Sequence, residues 1–333
     1  MSSILPVEAI RPKTAIDSGT LKDAIARDNL WLAEKKADFL QVGCPACGGG
    51  GYSQQFEKNG HILRRCSDCE TLYLTLRPDA DTLTEYYACS ARMAYFSTFI
   101  FPASREKRVE HIYKPRLERL LTACTKVGCL GGIYVEVGAG SGLFALLVQK
   151  TRVFDQVIAV EPSATLAADC RACGLEVFES SVEQASGILQ ANVIASFEVL
   201  EHLFSPADFM KHIHRILAPN GLCILTTPNG MGLDVIELGV ASTTVSFSHM
   251  NLFNPNSISH LLQKSGFNVL EVSTPGKLDV SLLRDAWDAG VPPSSPFLYY
   301  ILREANQGIS EAFQQFLCDN LLSSHMWVVA QKK

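Results

Sequence analysis

Residues 135 to 142 read Val135-Glu136-Val137-Gly138-Ala139-Gly140-Ser141-Gly142, an apolar run entering a glycine-rich turn. A helix is expected to begin near Leu143. Glycine at such a strand-to-helix turn tolerates positive φ and lets a bound nucleoside approach the backbone closely. The spacing narrows the ligand. A dinucleotide fingerprint needs glycine at its first, third and sixth positions, and here the sixth is Leu143. No Lys-Ser/Thr pair follows, which excludes a phosphate-binding P-loop. The next apolar run, Val157-Ile158-Ala159-Val160-Glu161, ends in an acid about twenty residues beyond the turn, where a carboxylate can accept both hydroxyls of a ribose.

Working outward, short apolar runs alternate with helical stretches. The strand candidates are Ile133–Val137, Val157–Glu161, Leu175–Phe178, Val193–Phe197, Leu222–Thr226, Asn268–Ser273 and His325–Gln331. Between them lie Leu143–Lys150, Ala164–Ala172 and Pro206–Leu217 with helical character. Strands buried on both faces and alternating with helices predict a parallel α/β sheet. With 47% hydrophobic and 19% charged residues, the 333-residue chain can bury a full core.

The sequence resembles the class I S-adenosylmethionine (SAM)-dependent methyltransferases over roughly residues 130 to 275 and the final strand. "VEVGAGSG" is similar to that family's first motif and "VIAVEP" to its second. "VIASFEVLEHL" and "LAPNGLCILTTPN" are similar to its fourth and fifth strands. The resemblance implies a Rossmann-like, seven-stranded sheet with an antiparallel last strand. It also implies SAM over Gly138, Ala139, Gly140, Ser141 and Gly142, with Glu136 on the methionine amino group and Glu161 on the ribose. Backbone near Phe197 would touch the methionine part, and Ser181-Val182-Glu183 would lie near the adenine.

Glu198-Val199-Leu200-Glu201-His202 follows the fourth strand, at the carboxyl end of the sheet where such folds bind ligands. Methyl transfer needs proximity, alignment and a base for the acceptor's proton. His202 suits that role and Glu201 could orient it; capping of the following helix is the plainer alternative. Some methyltransferases of this class carry a similar segment plus a later histidine as divalent-cation ligands. That resemblance offers Glu198, Glu201, His202 and His249 as a second site for Mg²⁺ or another divalent ion.

Cys44-Pro45-Ala46-Cys47 and Cys66-Ser67-Asp68-Cys69 are two C-x₂-C knuckles separated by 18 residues. The spacing predicts a closed Cys₄ structural zinc site that folds a segment too small to bury its own core. Cys170 and Cys173 have no second pair and read as ordinary packing. The resulting organisation is a helical leader (1–40), a zinc ribbon (41–77), a helical linker or lid (78–130) and a SAM-binding domain (131–333) with an insertion at about 275–323.

A ribbon, then "LRPDADTLTEYY", then this core is similar to methyltransferases of sugar modification and secondary metabolism. Some of these act on nucleotide-linked sugars. The resemblance makes Tyr86 and Tyr87 candidates for substrate contact and a small polar acceptor, such as a nucleotide-sugar, the expected partner. The alternative is a ribosomal or transfer RNA methyltransferase that docks RNA on the ribbon. Arg105 to Arg119, with six Lys or Arg against three Glu, would suit a diphosphate, RNA or plain solvation. A net charge of −5 weighs against nucleic acid. No apolar run is long enough for a membrane span, and Met1 to Arg11 lacks a signal-peptide pattern, so a cytoplasmic protein is expected.

Overall fold

The computed structural model describes residues 4–12, 18–185, 187–188 and 190–333. Its strands are β1 (Leu40–Gln41), β2 (Tyr52–Lys58), β3 (His61–Cys66), β4 (Leu72–Leu74), β5 (Leu76–Arg77), β6 (Ile133–Val137), β7 (Gln156–Val160), β8 (Glu176–Phe178), β9 (Ala191–Phe197), β10 (Leu217–Pro228), β11 (Asn251–Leu252), β12 (Phe267–Ser273) and β13 (His325–Lys332).

Seven of them form one sheet in the order β12-β13-β10-β9-β6-β7-β8. Neighbours from β8 to β10 run parallel, whereas β13 pairs antiparallel with both β10 and β12. This is the Rossmann-like sheet with an antiparallel last strand that the family resemblance implies, built on the parallel α/β core that the alternating strands and helices predict. Both faces are covered. Val135 and Val137 of β6 join one apolar cluster with Ile158 and Ile194, and Tyr134 joins the other with Ala159 and Ala195. Strand alternation therefore sends Glu136 to the Tyr134 face, under the helices Lys114–Val127 and Leu143–Thr151.

The cysteine segment is not a separate bead. Its sheet runs β11-β4-β3-β2, so its last member comes from residue 251, beyond the fifth strand of the large sheet. Cys44, Ala46, Cys66 and Tyr73 belong to the same core cluster as Leu200 and Phe253. The join is polar as well as apolar. Arg77, 1% exposed, donates from Nη1 to Asn251 Oδ1 (2.8 Å) and to the Phe204 carbonyl (3.2 Å). Asn251 Nδ2 in turn reaches the carbonyls of Leu200, Glu201 and Leu203.

The linker is one long helical rod from Ala91 to Val127, interrupted by π turns at Phe96–Ile100 and Val109–Tyr113. Each π turn sits just before a proline, Pro102 or Pro115. Proline supplies no N–H and crowds the preceding turn, so the hydrogen-bond ladder must widen there. Asp28, on the helix Ser18–Glu34, fixes the start of the rod by accepting from Ser90 Oγ (2.6 Å) and the Ala91 amide (2.8 Å). The insertion carries the helices Asp279–Asp288, Pro296–Tyr299 and Gln307–Asp319. The first described residues cross it, with the Leu5 amide donating to Lys277 O and the Leu5 carbonyl accepting from Ser281 Oγ.

Asn251→Ala would strand a buried guanidinium donor and three carbonyls. We expect a loss of about 2–3 kcal/mol of unfolding free energy, read from urea denaturation; an unchanged midpoint would show that Arg77 finds other partners.

Candidate active site

The glycine turn is shaped by its neighbours. Gly138, Gly140 and Gly142 have φ of 75°, 56° and 73°. A Cβ on Gly138 would meet Val199 Cγ2 at 2.4 Å, and one on Gly142 would meet Cys170 Sγ at 2.9 Å. At Gly140 an added Cβ meets no protein atom within 4 Å, so the space beside it is open to a ligand. Glu161 is held at the turn by backbone donors: the Gly140 amide gives to Oε2 (2.8 Å) and the Ser163 amide to Oε1 (3.0 Å). Each oxygen keeps a lone pair for a further donor. Burial raises its pKa above the ordinary carboxylate value. Ala139 is buried and Ser141 half-buried in the same turn.

Glu136 lies one layer deeper. It is 4% exposed, and its Oε2 has no hydrogen-bond partner among the described residues. Burial drives its pKa up to about 8, only partly offset by the field of Arg116. An orphaned, desolvated carboxylate oxygen beside an open glycine turn is a site awaiting a cationic donor. Phe197 ends β9 beside it, edge-on to Phe144 (4.9 Å) and stacked with Trp327 (6.3 Å). The Arg116 guanidinium covers the Phe197 ring at 4.3 Å.

The segment after β9 turns sharply, with Glu198 at φ 57°. A non-glycine residue in left-handed backbone is strained and concentrates at functional turns. Glu198 accepts from Thr226 Oγ1 (2.7 Å) and pairs with His325 Nε2 (3.1 Å), with Arg116 at 3.8 Å. Burial would raise its pKa, but His325, Arg116 and the Thr226 hydroxyl together hold it well below the carboxylate range. His325 is itself pushed up to about 9, the Glu198 charge outweighing burial.

Glu201 and His202 sit on the next turn, Leu200–His202. Glu201 is 1% exposed. Its Oε2 accepts from Thr227 Oγ1 (3.0 Å), while its Oε1 is orphaned, 3.8 Å from His202 Nε2. His202 Nδ1 lies 2.5 Å from the Ser248 carbonyl, and His249 Nδ1 lies 2.7 Å from the Thr244 carbonyl. A carbonyl only accepts, so each Nδ1 carries the proton and each Nε2 presents a lone pair. The rings are 5.0 Å apart, and ligand atoms of Glu201, His202 and His249 all lie within 4.8 Å of one another.

Of the four residues the sequence offered as a second divalent site, three converge. Glu198 does not: His325, Thr226 and Arg116 occupy it. Nor do Glu201 and His202 cap the following helix, which starts at Pro206 with Ser205 as its cap. Of the two tyrosines, Tyr86 is buried and donates to Asp28, a structural bond, whereas Tyr87 lies edge-on to His202 at 5.9 Å with an unpartnered hydroxyl. The remaining cluster is Cys44, Cys47, Cys66 and Cys69. Cys44 and Cys69 sulfurs lie 3.4 Å apart, Cys47 and Cys66 sulfurs 3.5 Å, and all four fall within 4.8 Å of one another. The Gly49 and Asp68 amides point at Cys47 and Cys66 sulfurs, as amides do at thiolates.

A family model described as a methyltransferase domain matches residues 105–272, half of the chain. The chain belongs to this methyltransferase family. The seven-stranded sheet is its SAM-dependent methyltransferase domain. A "Ubiquinone biosynthesis O-methyltransferase" from Bradyrhizobium diazoefficiens is 33% identical over 31% of this chain and 43% of its own length. A "Probable S-adenosylmethionine-dependent methyltransferase" from Mycobacterium tuberculosis is 29% identical over 50% of this chain and 58% of its own. The methyltransferase chain thus spans about half the length of these curated relatives. Among solved structures, a cyclopropane synthase from Mycobacterium tuberculosis overlays with a TM-score of 0.41 at 16% identity, covering 64% of this chain and 84% of that one.

Sequence reasoning missed Arg92, which donates to Ser248, and Arg116 and His325, which flank Glu198. The long charged helix was visible, but which of its arginines turn inward depends on the π turns, which shift side chains around the rod. His325 was read only as the start of a strand.

Glu136 yields a pH prediction. An acid whose folded pKa exceeds its unfolded value of about 4.5 favours the folded state fully at low pH, and that benefit disappears as pH rises through about 8. Melting curves without cofactor should therefore show wild type losing stability relative to Glu136→Gln as pH rises from about 4.5 to about 8, with no further relative change above that. Parallel pH profiles for the two proteins would rule out a buried, strongly raised Glu136.

Proposed function

We propose that this protein transfers a methyl group from SAM to a hydroxyl of a small polar acceptor, a sugar or nucleotide-linked sugar. The observation that carries the reading is the meeting of an orphaned Glu136 oxygen, an open glycine turn and two unpartnered imidazole nitrogens at one end of the sheet. The residues fit SAM. Glu136 would take the methionine ammonium, Arg116 its carboxylate, the Gly138–Gly142 backbone its middle, and Glu161 the ribose hydroxyls. When bound, SAM supplies an electrophilic methyl carbon next to a positively charged sulfur.

His202 Nε2 would receive the acceptor's proton as the hydroxyl oxygen bonds to the methyl carbon, the carbon–sulfur bond electrons leaving with sulfur. The Ser248 carbonyl holds the required tautomer, and Glu201 Oε1 lies near enough to steady the imidazole. The sugar acceptor is supported by the resemblance of the ribbon and residues 76–87 to sugar methyltransferases. A hydroxyl acceptor also agrees with the name of the O-methyltransferase relative.

A second reading has its own observation. Glu201, His202 and His249 present three unpaired donor atoms, with both imidazoles oriented by backbone carbonyls, as metal-bound histidines usually are. They would hold a divalent cation, which would lower the pKa of a bound acceptor hydroxyl. For the four cysteines we propose structural zinc: sulfurs this close fit around one ion with Zn–S bonds of about 2.3 Å.

The first test is transfer of labelled methyl from SAM into a fractionated extract. Label in phosphorylated small molecules supports the sugar reading, and label in RNA replaces it. His202→Ala should lower turnover by about 10²-fold or more with little change in S-adenosylhomocysteine affinity; normal turnover would remove His202 from the mechanism. His249→Ala separates the two readings. A base mechanism leaves turnover within a few fold, whereas a cation site loses it along with bound divalent metal by elemental analysis. Zinc near one ion per chain, lost in a Cys44→Ser/Cys47→Ser protein, is the expected result for the ribbon; a folded, metal-free wild type would refute it.

A further inference from the structure

We propose that Arg11, Arg92 and Arg108 form an anion-binding subsite beside His202 that holds the diphosphate of the acceptor. The proposal rests on the reading that the acceptor binds at His202 and specifies its charged group. The three arginines are far apart in sequence and come from two elements. Arg92 and Arg108 sit on the first part of the helical rod, and Arg11 follows the turn Val7–Ala9 that crosses the insertion.

Their positions are tied together by hydrogen bonds. Arg108 donates from Nη2 to the carbonyl of Ile10 (3.0 Å), the residue before Arg11, and from Nε to Ser104 Oγ (2.9 Å). Arg92 donates from Nη1 to Ser248 Oγ (3.0 Å), on the residue whose carbonyl fixes His202. Arg92 and Arg108 lie over the rings of Phe96 and Phe101, at 5.7 and 5.0 Å. The guanidinium of Arg11 has no hydrogen-bond partner among the described residues, and burial with the fields of Arg92 and Arg108 presses its pKa down to about 10.

All three arginines are half-buried. Lysine 58, whose ammonium is bonded to the Ser242 and Val245 carbonyls, adds a fourth positive charge within reach of Arg92. Two acids face the group: Asp234, whose Oδ2 accepts from the Ser242 and Thr244 hydroxyls while its Oδ1 has no partner among the described residues, offsets part of the charge at Arg11, and Glu198, held by His325 and Thr226, offsets part at Arg108. Two carboxylates against three guanidinium groups and Lys58 leave the group net positive. Guanidinium cannot shed its proton to relieve repulsion. Like charges gathered in a poorly solvated pocket are costly, and a planar fork suits phosphate oxygens in bidentate fashion. A dianionic or trianionic ligand resolves the repulsion where a neutral sugar would not.

The test uses the full chain with S-adenosylhomocysteine bound and inorganic pyrophosphate as probe, followed by calorimetry. Pyrophosphate should bind wild type and lose at least about tenfold in Arg11→Gln, the charge-assisted contact of one guanidinium. The Arg11 guanidinium makes no hydrogen bond among the described residues, so this variant should keep the wild-type melting temperature and S-adenosylhomocysteine affinity. Arg108→Gln should weaken binding similarly. Absence of pyrophosphate binding to wild type, or equal binding by Arg11→Gln, overturns the subsite, even if a neutral sugar is methylated. Binding lost in the variants supports the subsite, even if no sugar is methylated and the acceptor reading fails. Uridine diphosphate should displace pyrophosphate; displacement by a short single-stranded RNA at equal phosphate concentration, but not by uridine diphosphate, would overturn the small-molecule assignment.

Discussion

The buried pairing of Arg77 with Asn251 is the constraint on which the rest of the arrangement hangs. One amide side chain closes three carbonyls of the turn that carries Glu201 and His202, and the same side chain accepts from an arginine of the cysteine segment. A buried guanidinium tolerates no vacancy among its acceptors, because each lost bond leaves a desolvated charge. The turn after β9, β11 and the ribbon are therefore held as one body.

That coupling changes what the cysteine segment is for. A closed four-thiolate site is usually needed where a small segment cannot build a core. Here Cys44 and Cys66 are also part of the main core, and Lys264 and Asn254 bond to the carbonyls of Cys47 and Cys69. The segment acts as a wall that fixes the far side of the His202 turn, so its folding and the geometry of the site are linked.

Charge is distributed across the cleft by depth. Glu136 and Glu201 lie fully buried with orphaned oxygens, positioned for donors or cations. Glu198 remains ionised because His325 and Arg116 surround it. Beyond them stands a layer of arginines. Acids inside and guanidinium groups outside suit a cofactor with a cationic centre and an acceptor with an anionic end, and the two would meet at His202.

The sheet was legible in the sequence because its determinants are local. Apolar runs of five to seven residues, a glycine turn with positive φ and an acid at the end of the next strand each act within their own neighbourhood. The cysteine quartet was legible for the same reason: C-x₂-C geometry is set by a few adjacent dihedrals. What the sequence could not determine was which distant groups share a space. Glu198 was grouped by resemblance with Glu201 and His202, yet it follows a left-handed turn and pairs with His325. Tyr86 and Tyr87 are neighbours in sequence, but a helix points them to different partners, Asp28 and His202. Arg11 and Arg92 carry no motif at all. Their meeting depends on the path of the first residues over the insertion and on π turns in the rod, both set by tertiary packing, because side-chain proximity across eighty residues is a property of the folded core alone.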